Sequence, residues 1–176
     1  MEIGCAGPIA GFIVALPTLL YGLSLSYVSP LLGIEGVNFG SSLILNICAE
    51  FVLGVDPQSS DLNINLHPIA FAGWIGMLVT ALNLIPIGQL DGGHIVFALS
   101  PKQHKWTGRL FFLALFPLGY FWTGWFFWAV MIVLVGFKTT PLLDDTEELG
   151  TLHRVLGLVS ISIFLVTFIP IPFSLL

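Results

Sequence analysis

LNLIPIGQLDGGHI, residues 82–95, holds one carboxylate, Asp91, in a run that carries no other formal charge across residues 62–101. Around it stand Pro86 and three glycines, Gly88, Gly92 and Gly93. Pro86 lacks a backbone N–H and frees the carbonyl of Leu82 one turn back, and the glycines permit unusual dihedrals and close backbone approach. An apolar helix is therefore expected to open here and to present Asp91 from a locally unwound turn. A charged Asp at the centre of a membrane helix costs about 2.5–3.5 kcal/mol on insertion scales, so such a residue lines a cavity or pairs with a cation. By its setting Asp91 reads as a metal ligand or a proton carrier.

The membrane setting comes from composition. Hydrophobic residues make up 56% and charged residues 9%, with a mean hydropathy of +0.99, whereas soluble domains are roughly a quarter charged. The long apolar segments lack the alternating pattern of a barrel, so the expected fold is all-α: a polytopic transmembrane helical bundle forming one membrane-embedded domain over residues 1–176. With five Lys and Arg residues and a net charge of −5, no basic stripe exists to neutralise phosphates, which excludes nucleic acid as a partner. The lipid bilayer is the expected partner instead. Cys5 and Cys48 sit in no C-x-x-C pattern and read as small buried apolar residues.

About four spans are expected, with a short surface or re-entrant helix. The first covers residues 8–29, with Pro8 near its start and small residues Ala6, Gly7, Ala10 and Gly11 allowing close helix approach, for packing alone or to shape a site. Residues 43–53 are apolar but too short to cross, and lie in an acidic region, 30–66, without Lys or Arg. The second span begins at His67-Pro68 and runs to Ile87, is interrupted through Gly93, and resumes at residues 95–99. Residues 102–109 hold Lys102, His104, Lys105 and Arg109, the densest basic cluster, which the positive-inside rule places on the cytoplasmic side. Residues 110–137 read as one tilted, kinked span in preference to a tight hairpin. Phe121, Trp122, Trp125, Phe126, Phe127 and Trp128 read as lipid-facing anchors. Residues 138–154 form a polar connection, and residues 156–169 the last span. The start MEIGCAGPIAG has no basic n-region of a cleavable signal.

Catalytic zinc takes three protein ligands from His and Asp or Glu and leaves a position for water. One carboxylate cannot make that site. His94, three residues beyond Asp91, would share its face if the helix resumed at once. His67 reads as a helix-entry residue, and His104 and His153 as residues of charged loops. Asn83 offers an amide able to bind exposed backbone.

Asn83-Leu84-Ile85-Pro86 followed by Leu90-Asp91-Gly92-Gly93 resembles the N-x-x-P-x-x-x-L-D-G motif of the site-2 protease family of intramembrane zinc metallopeptidases. AGPIAG at residues 6–11 resembles the glycine-rich start of the helix after that family's zinc-binding helix. HPIAFAGWIGMLVTALN at residues 67–83 is similar to its bacterial, cyanobacterial and chloroplast branch. The resemblance implies Asp91 as third zinc ligand and catalytic group, and Asn83 as a second catalytic-site residue holding the substrate's extended backbone. Pro86, Gly88, Gly92 and Gly93 would shape or support the substrate groove. It implies Zn2+ in the intact protein and membrane-protein or peptide substrates. The family's H-E-x-x-H, with two metal-binding histidines and a water-activating glutamate, is absent from residues 1–176 and is expected N-terminal to Met1. The chain by itself is expected neither to hold zinc nor to cleave peptides. Two other readings stay open: an inactive protease-like scaffold that grips membrane helices, and an ion or proton transporter built on a broken helix.

Overall fold

The computed structural model describes residues 2–30, 37–57, 62–135 and 150–175. Seven helices and four short strands follow one another along these residues: α1 (Glu2–Ser24), β1 (Tyr27–Pro30), β2 (Val37–Phe39), α2 (Leu43–Leu53), β3 (Leu62–Asn65), α3 (Pro68–Asn83), α4 (Asp91–Leu99), α5 (Pro101–Phe121), α6 (Gly124–Val135), α7 (Thr151–Thr167) and β4 (Phe173–Leu175). The protein is predominantly helical, as expected from sequence. Among the described residues one helix, Gly4–Ser24, is long and apolar enough to cross a membrane, and the apolar helices Leu43–Leu53, Pro68–Asn83, Gly124–Leu134 and Thr151–Thr167 are shorter. The chain divides into two compact units, Met1–Ile9 with Leu82–Phe164, and Ala10–Ala81 with Leu165–Leu176.

The second of these units is built on a seam of small residues between α1 and α3. A Cβ on Gly22 would strike the backbone of Ala70, one on Gly73 would lie 2.5 Å from Leu19 N, one on Gly76 would lie 3.0 Å from Ala15 Cβ, and one on Gly11 would lie 2.9 Å from Thr80 Oγ1. The pairs run in opposite directions along the two helices, which are therefore antiparallel and close enough for backbone contact, the way apolar helices associate without a hydrophobic drive between them. Leu19, Leu23, Ala70, Trp74 and Met77 fill the adjoining core together with Leu45, Cys48 and Ala49 of α2. Trp74 is the centre of an aromatic group with Phe39, Phe71 and Phe173, and its indole Nε1 donates to the Gly40 carbonyl at 2.9 Å. That bond satisfies a buried donor and fixes β2, which pairs antiparallel with β4.

Sequence reading found the helix at residues 43–53 but not the strands. β1 pairs antiparallel with β3, Tyr27 opposite Asn65 and Pro30 opposite Leu62, across a separation at which no local pattern marks the partner. The first helix also departs from expectation. It starts at Glu2, so Pro8 lies inside it, and it ends at Ser24, leaving residues 27–30 to β1. His67 does act at a helix entry: its Nδ1 accepts from the Ile69 N–H at 3.3 Å, while its own N–H donates to Ser26 Oγ at 2.9 Å.

α2 carries a complete pair of caps. Ser42 Oγ accepts from the Leu45 N–H at 3.3 Å, and Gly54 closes the helix at φ 67, a left-handed conformation that favours glycine. Ser42→Ala is expected to lower stability by about 1 kcal/mol, read from denaturant or thermal unfolding in detergent together with faster amide exchange at Leu45.

In the other unit the expected single span over residues 110–137 is corrected. α5 ends at Phe121 and α6 starts at Gly124; residues 136–137 lie outside the described residues. Residues 116 and 126 would stand about 15 Å apart along one helix, but their rings lie 6.4 Å apart. The chain therefore turns back at Trp122 and Thr123, with the Phe126 ring filling the space over Gly119. Pro117 stays within α5. Trp125, expected to face lipid, is fully buried, whereas Phe121 and Phe127 are exposed. The helix expected as the last span begins earlier than residue 156, at Thr151, and ends at Thr167, before Pro170. Most of the polar connection expected at residues 138–154 lies outside the described residues.

Candidate functional site

α3 stops at Asn83 and α4 starts at Asp91, so the break expected from sequence is present but shifted: residues 84–90 are irregular, and Gly92 and Gly93 belong to α4. The Leu82 carbonyl, which Pro86 deprives of a helical partner, accepts from the Ile85 N–H at 3.3 Å. The Ile87 N–H donates to the Ile85 carbonyl at 2.8 Å across Pro86, a three-residue turn suited to proline's fixed φ. Gly88 has φ 55, and the next turn closes with Leu90 N–H on the Ile87 carbonyl at 3.2 Å. Gly88 is thus required by conformation. Leu84, Ile85 and Ile87 are almost fully buried, so the loop is part of the core.

Gly92 and Gly93 serve packing. A Cβ on Gly92 would overlap the Leu84 carbonyl, and one on Gly93 would lie 2.5 Å from the Gly88 carbonyl oxygen. The first turn of α4 can rest on the loop only without side chains at these two positions. Gly108 of α5 approaches the same loop, its missing Cβ 3.4 Å from the Pro86 carbonyl oxygen.

Asp91 is the first residue of α4, where a negative charge meets the positive end of the helix dipole. Its side chain, half-buried, points at the first turns of α1: a Cβ on Gly7 would be 3.4 Å from Asp91 Oδ2, the one atom of a neighbouring element within 4 Å among the described residues. One turn earlier, Gly4 packs on His94 Cβ and the Asp91 carbonyl. The spacing of Gly4 and Gly7 therefore clears a path for α1 past Asp91. Sequence reading left Gly7 between packing and shaping a site and overlooked Gly4 and Gly108; His104, read as a residue of a charged loop, is buried on α5. Asn83 is exposed at the last position of α3, and His94 is exposed one turn beyond Asp91.

Zinc requires three protein ligands. Among the described residues, no three His, Cys, Asp or Glu side chains are grouped to hold a metal ion. Asp91 can supply one carboxylate of such a shell; these residues do not fit the whole of it.

Comparison with known proteins identifies the class. The model of peptidase family M50 matches residues 1–111, and the chain belongs to that family of membrane-embedded peptidases. Among curated proteins it is similar to the chloroplastic probable zinc metalloprotease EGY1 of Arabidopsis thaliana, 28% identical over 97% of this chain and 32% of that protein. It is likewise similar to the EGY1 of Oryza sativa subsp. japonica, 30% identical over 97% of this chain and 30% of that protein, and to the chloroplastic EGY2 of Oryza sativa subsp. indica, 31% identical over 98% and 32%. The chain spans about a third of the length of these relatives. No solved structure matches it.

Proposed function

We propose that this chain is the part of an intramembrane zinc metalloprotease that contributes Asp91 to the metal shell and the α3–α4 break to the substrate groove. The observation that carries the reading is the Asp91 carboxylate at the start of α4, its Oδ2 facing the side-chain-free Gly7 of α1, in a stretch otherwise without charge. Zinc in the intact protein would supply a polarised water for peptide hydrolysis. The remaining ligands would come from an H-E-x-x-H helix preceding the α1 segment. Within the chain, Asn83 offers both a donor and an acceptor at the mouth of the break, suited to a substrate helix unwound into extended backbone. The substrates are transmembrane segments of membrane proteins, which must lose helical hydrogen bonds before any hydrolytic attack. The domain is multi-pass, with about four spans, and its exposed Lys102, Lys105 and Arg109 lie on the cytoplasmic side, as the positive-inside rule requires.

The test uses the intact protein in lipid vesicles with a transmembrane reporter segment. Cleavage is expected, to be abolished by a zinc chelator and restored by added zinc. Cleavage indifferent to chelation would overturn the metalloprotease reading. Reporter binding without cleavage in zinc-replete protein would favour the inactive scaffold.

A further inference from the structure

One exposed face of α5 begins with a block of positive charge and continues with apolar side chains. Lys102, Lys105, Trp106 and Arg109 stand at i, i+3, i+4 and i+7 of the helix and are all exposed, so they form a single stripe. It is turned away from the packing face, where His104 and Gly108 are buried. The stripe runs on through Leu113, Phe116 and Tyr120, which are exposed as well. Three of the chain's five Lys and Arg residues lie in its first two turns, and residues 92–143 contain no Asp or Glu.

The dimensions of the stripe match one leaflet of a bilayer. Its charged part, residues 102–109, is about 10 Å long, and its apolar part, residues 109–120, about 16 Å. A leaflet offers a polar layer of about 5–8 Å over about 15 Å of hydrocarbon. Trp106 stands in the charged part with the Arg109 guanidinium 5.8 Å from its ring centre, which keeps that cation beside an aromatic ring of the kind enriched at the membrane–water boundary. An acidic peptide would complement the cations but would leave Leu113, Phe116 and Tyr120 uncovered. A phospholipid with an anionic headgroup answers both parts, its phosphate meeting the cations and its acyl chain the apolar side chains.

We infer that this face of α5 binds an anionic phospholipid of the adjoining leaflet, the headgroup on Lys102, Lys105 and Arg109 and an acyl chain along Leu113, Phe116 and Tyr120. The inference rests on α5 entering the bilayer at its basic end, as in the topology proposed above, and on no property of Asp91 or of a metal.

The test uses the intact protein in vesicles of equal parts phosphatidylcholine and phosphatidylglycerol, with a spin-labelled tracer of either lipid reporting how strongly each is held. Phosphatidylglycerol is expected to be preferred about tenfold or more. Lys105→Gln is expected to lower the preference by up to about fivefold, the share of one basic residue near a charged surface, and Lys102→Gln, Lys105→Gln and Arg109→Gln together to bring it within about twofold of parity. Lys102→Arg with Lys105→Arg is expected to keep it, as is Arg154→Gln, which removes a charge outside the stripe. A preference that survives the triple substitution, or that falls as far with Arg154→Gln as with Lys105→Gln, overturns the site. So does equal holding of the two lipids by the unsubstituted protein; binding of a polyglutamate peptide, lost in the triple variant, would then assign the face to an acidic protein segment. A nitroxide on Leu113→Cys separates the two levels of failure. It is expected to be reached by oxygen and shielded from a water-soluble nickel chelate. With that result, absence of a lipid preference refutes the lipid site alone; free access of the chelate refutes the entry of α5 into the bilayer and the lipid site with it.

Discussion

Asp91→Asn in the intact protein is expected to weaken zinc binding by about 100-fold or more, with a change in unfolding free energy of at most about 1 kcal/mol. The two magnitudes separate because, on the function proposed above, the carboxylate has two different electrostatic partners. As the first residue of α4 it meets the helix dipole, an interaction worth about 0.3–1 kcal/mol. Asparagine keeps the size and one oxygen, so the packing against Gly7 is retained. A dication is far more demanding: an amide oxygen brings no net charge, and even groups that merely orient metal ligands cost 10–100-fold when lost. Competition with a chelator of known affinity gives the zinc constant, and denaturant unfolding of metal-free protein gives the stability. Zinc affinity within about threefold of the original would remove Asp91 from the shell. A large loss of stability without metal would mean that the residue acts mainly as a helix-start acid.

Much of the site could be read from the residues because proline and glycine act locally. Pro86 and Gly88 mark the break, and the structure places turns at both. His67-Pro68 marks the entry of α3, and Pro170 the limit of α7. What the residues did not disclose depends on contacts between distant segments. Gly92 and Gly93 read as helix breakers, yet they lie within α4, because glycine's weak helical preference counts for less than the close approach of the Leu84 and Gly88 carbonyls. The reversal at Trp122 and Thr123 escaped for a related reason: α5 and α6 are both apolar, and hydrophobicity does not report direction. β1 and β3 are too short and too far apart in sequence to announce each other. The burial of His104 follows from α5 folding onto α4, which its neighbours Lys102 and Lys105, read as a charged loop, conceal.

Gly92→Ala supplies the sharpest test of that packing, because the intrinsic preference of the helix and the contact with the loop have opposite signs. Alanine is favoured over glycine inside a helix by about 0.8–1 kcal/mol, so helix propensity alone makes the substitution stabilising. At this position, however, the new methyl would overlap the Leu84 carbonyl and come within 2.8 Å of the Ile85 carbonyl carbon. Both are backbone atoms of a buried loop, and no side-chain rotation relieves them. The loop is also confined by Gly93 at the Gly88 carbonyl and Gly108 at the Pro86 carbonyl, so it can move only by displacing α4 or α5. Overpacking of this kind costs about 1–3 kcal/mol and occasionally more, and with the cost at the upper end the expected net loss after the propensity gain is about 2 kcal/mol, measured by denaturant unfolding in detergent. Gly108→Ala is the matched control. Its methyl would meet the Pro86 oxygen at 3.4 Å, an ordinary contact, so helix propensity prevails and stability is expected to hold or rise by up to about 1 kcal/mol. Opposite signs for one chemical change on two sides of one loop would confirm that Gly92 is fixed by backbone contact. A neutral Gly92→Ala would mean that α4 does not rest on the Leu84 carbonyl, and with it would go the support that sets Asp91 in place.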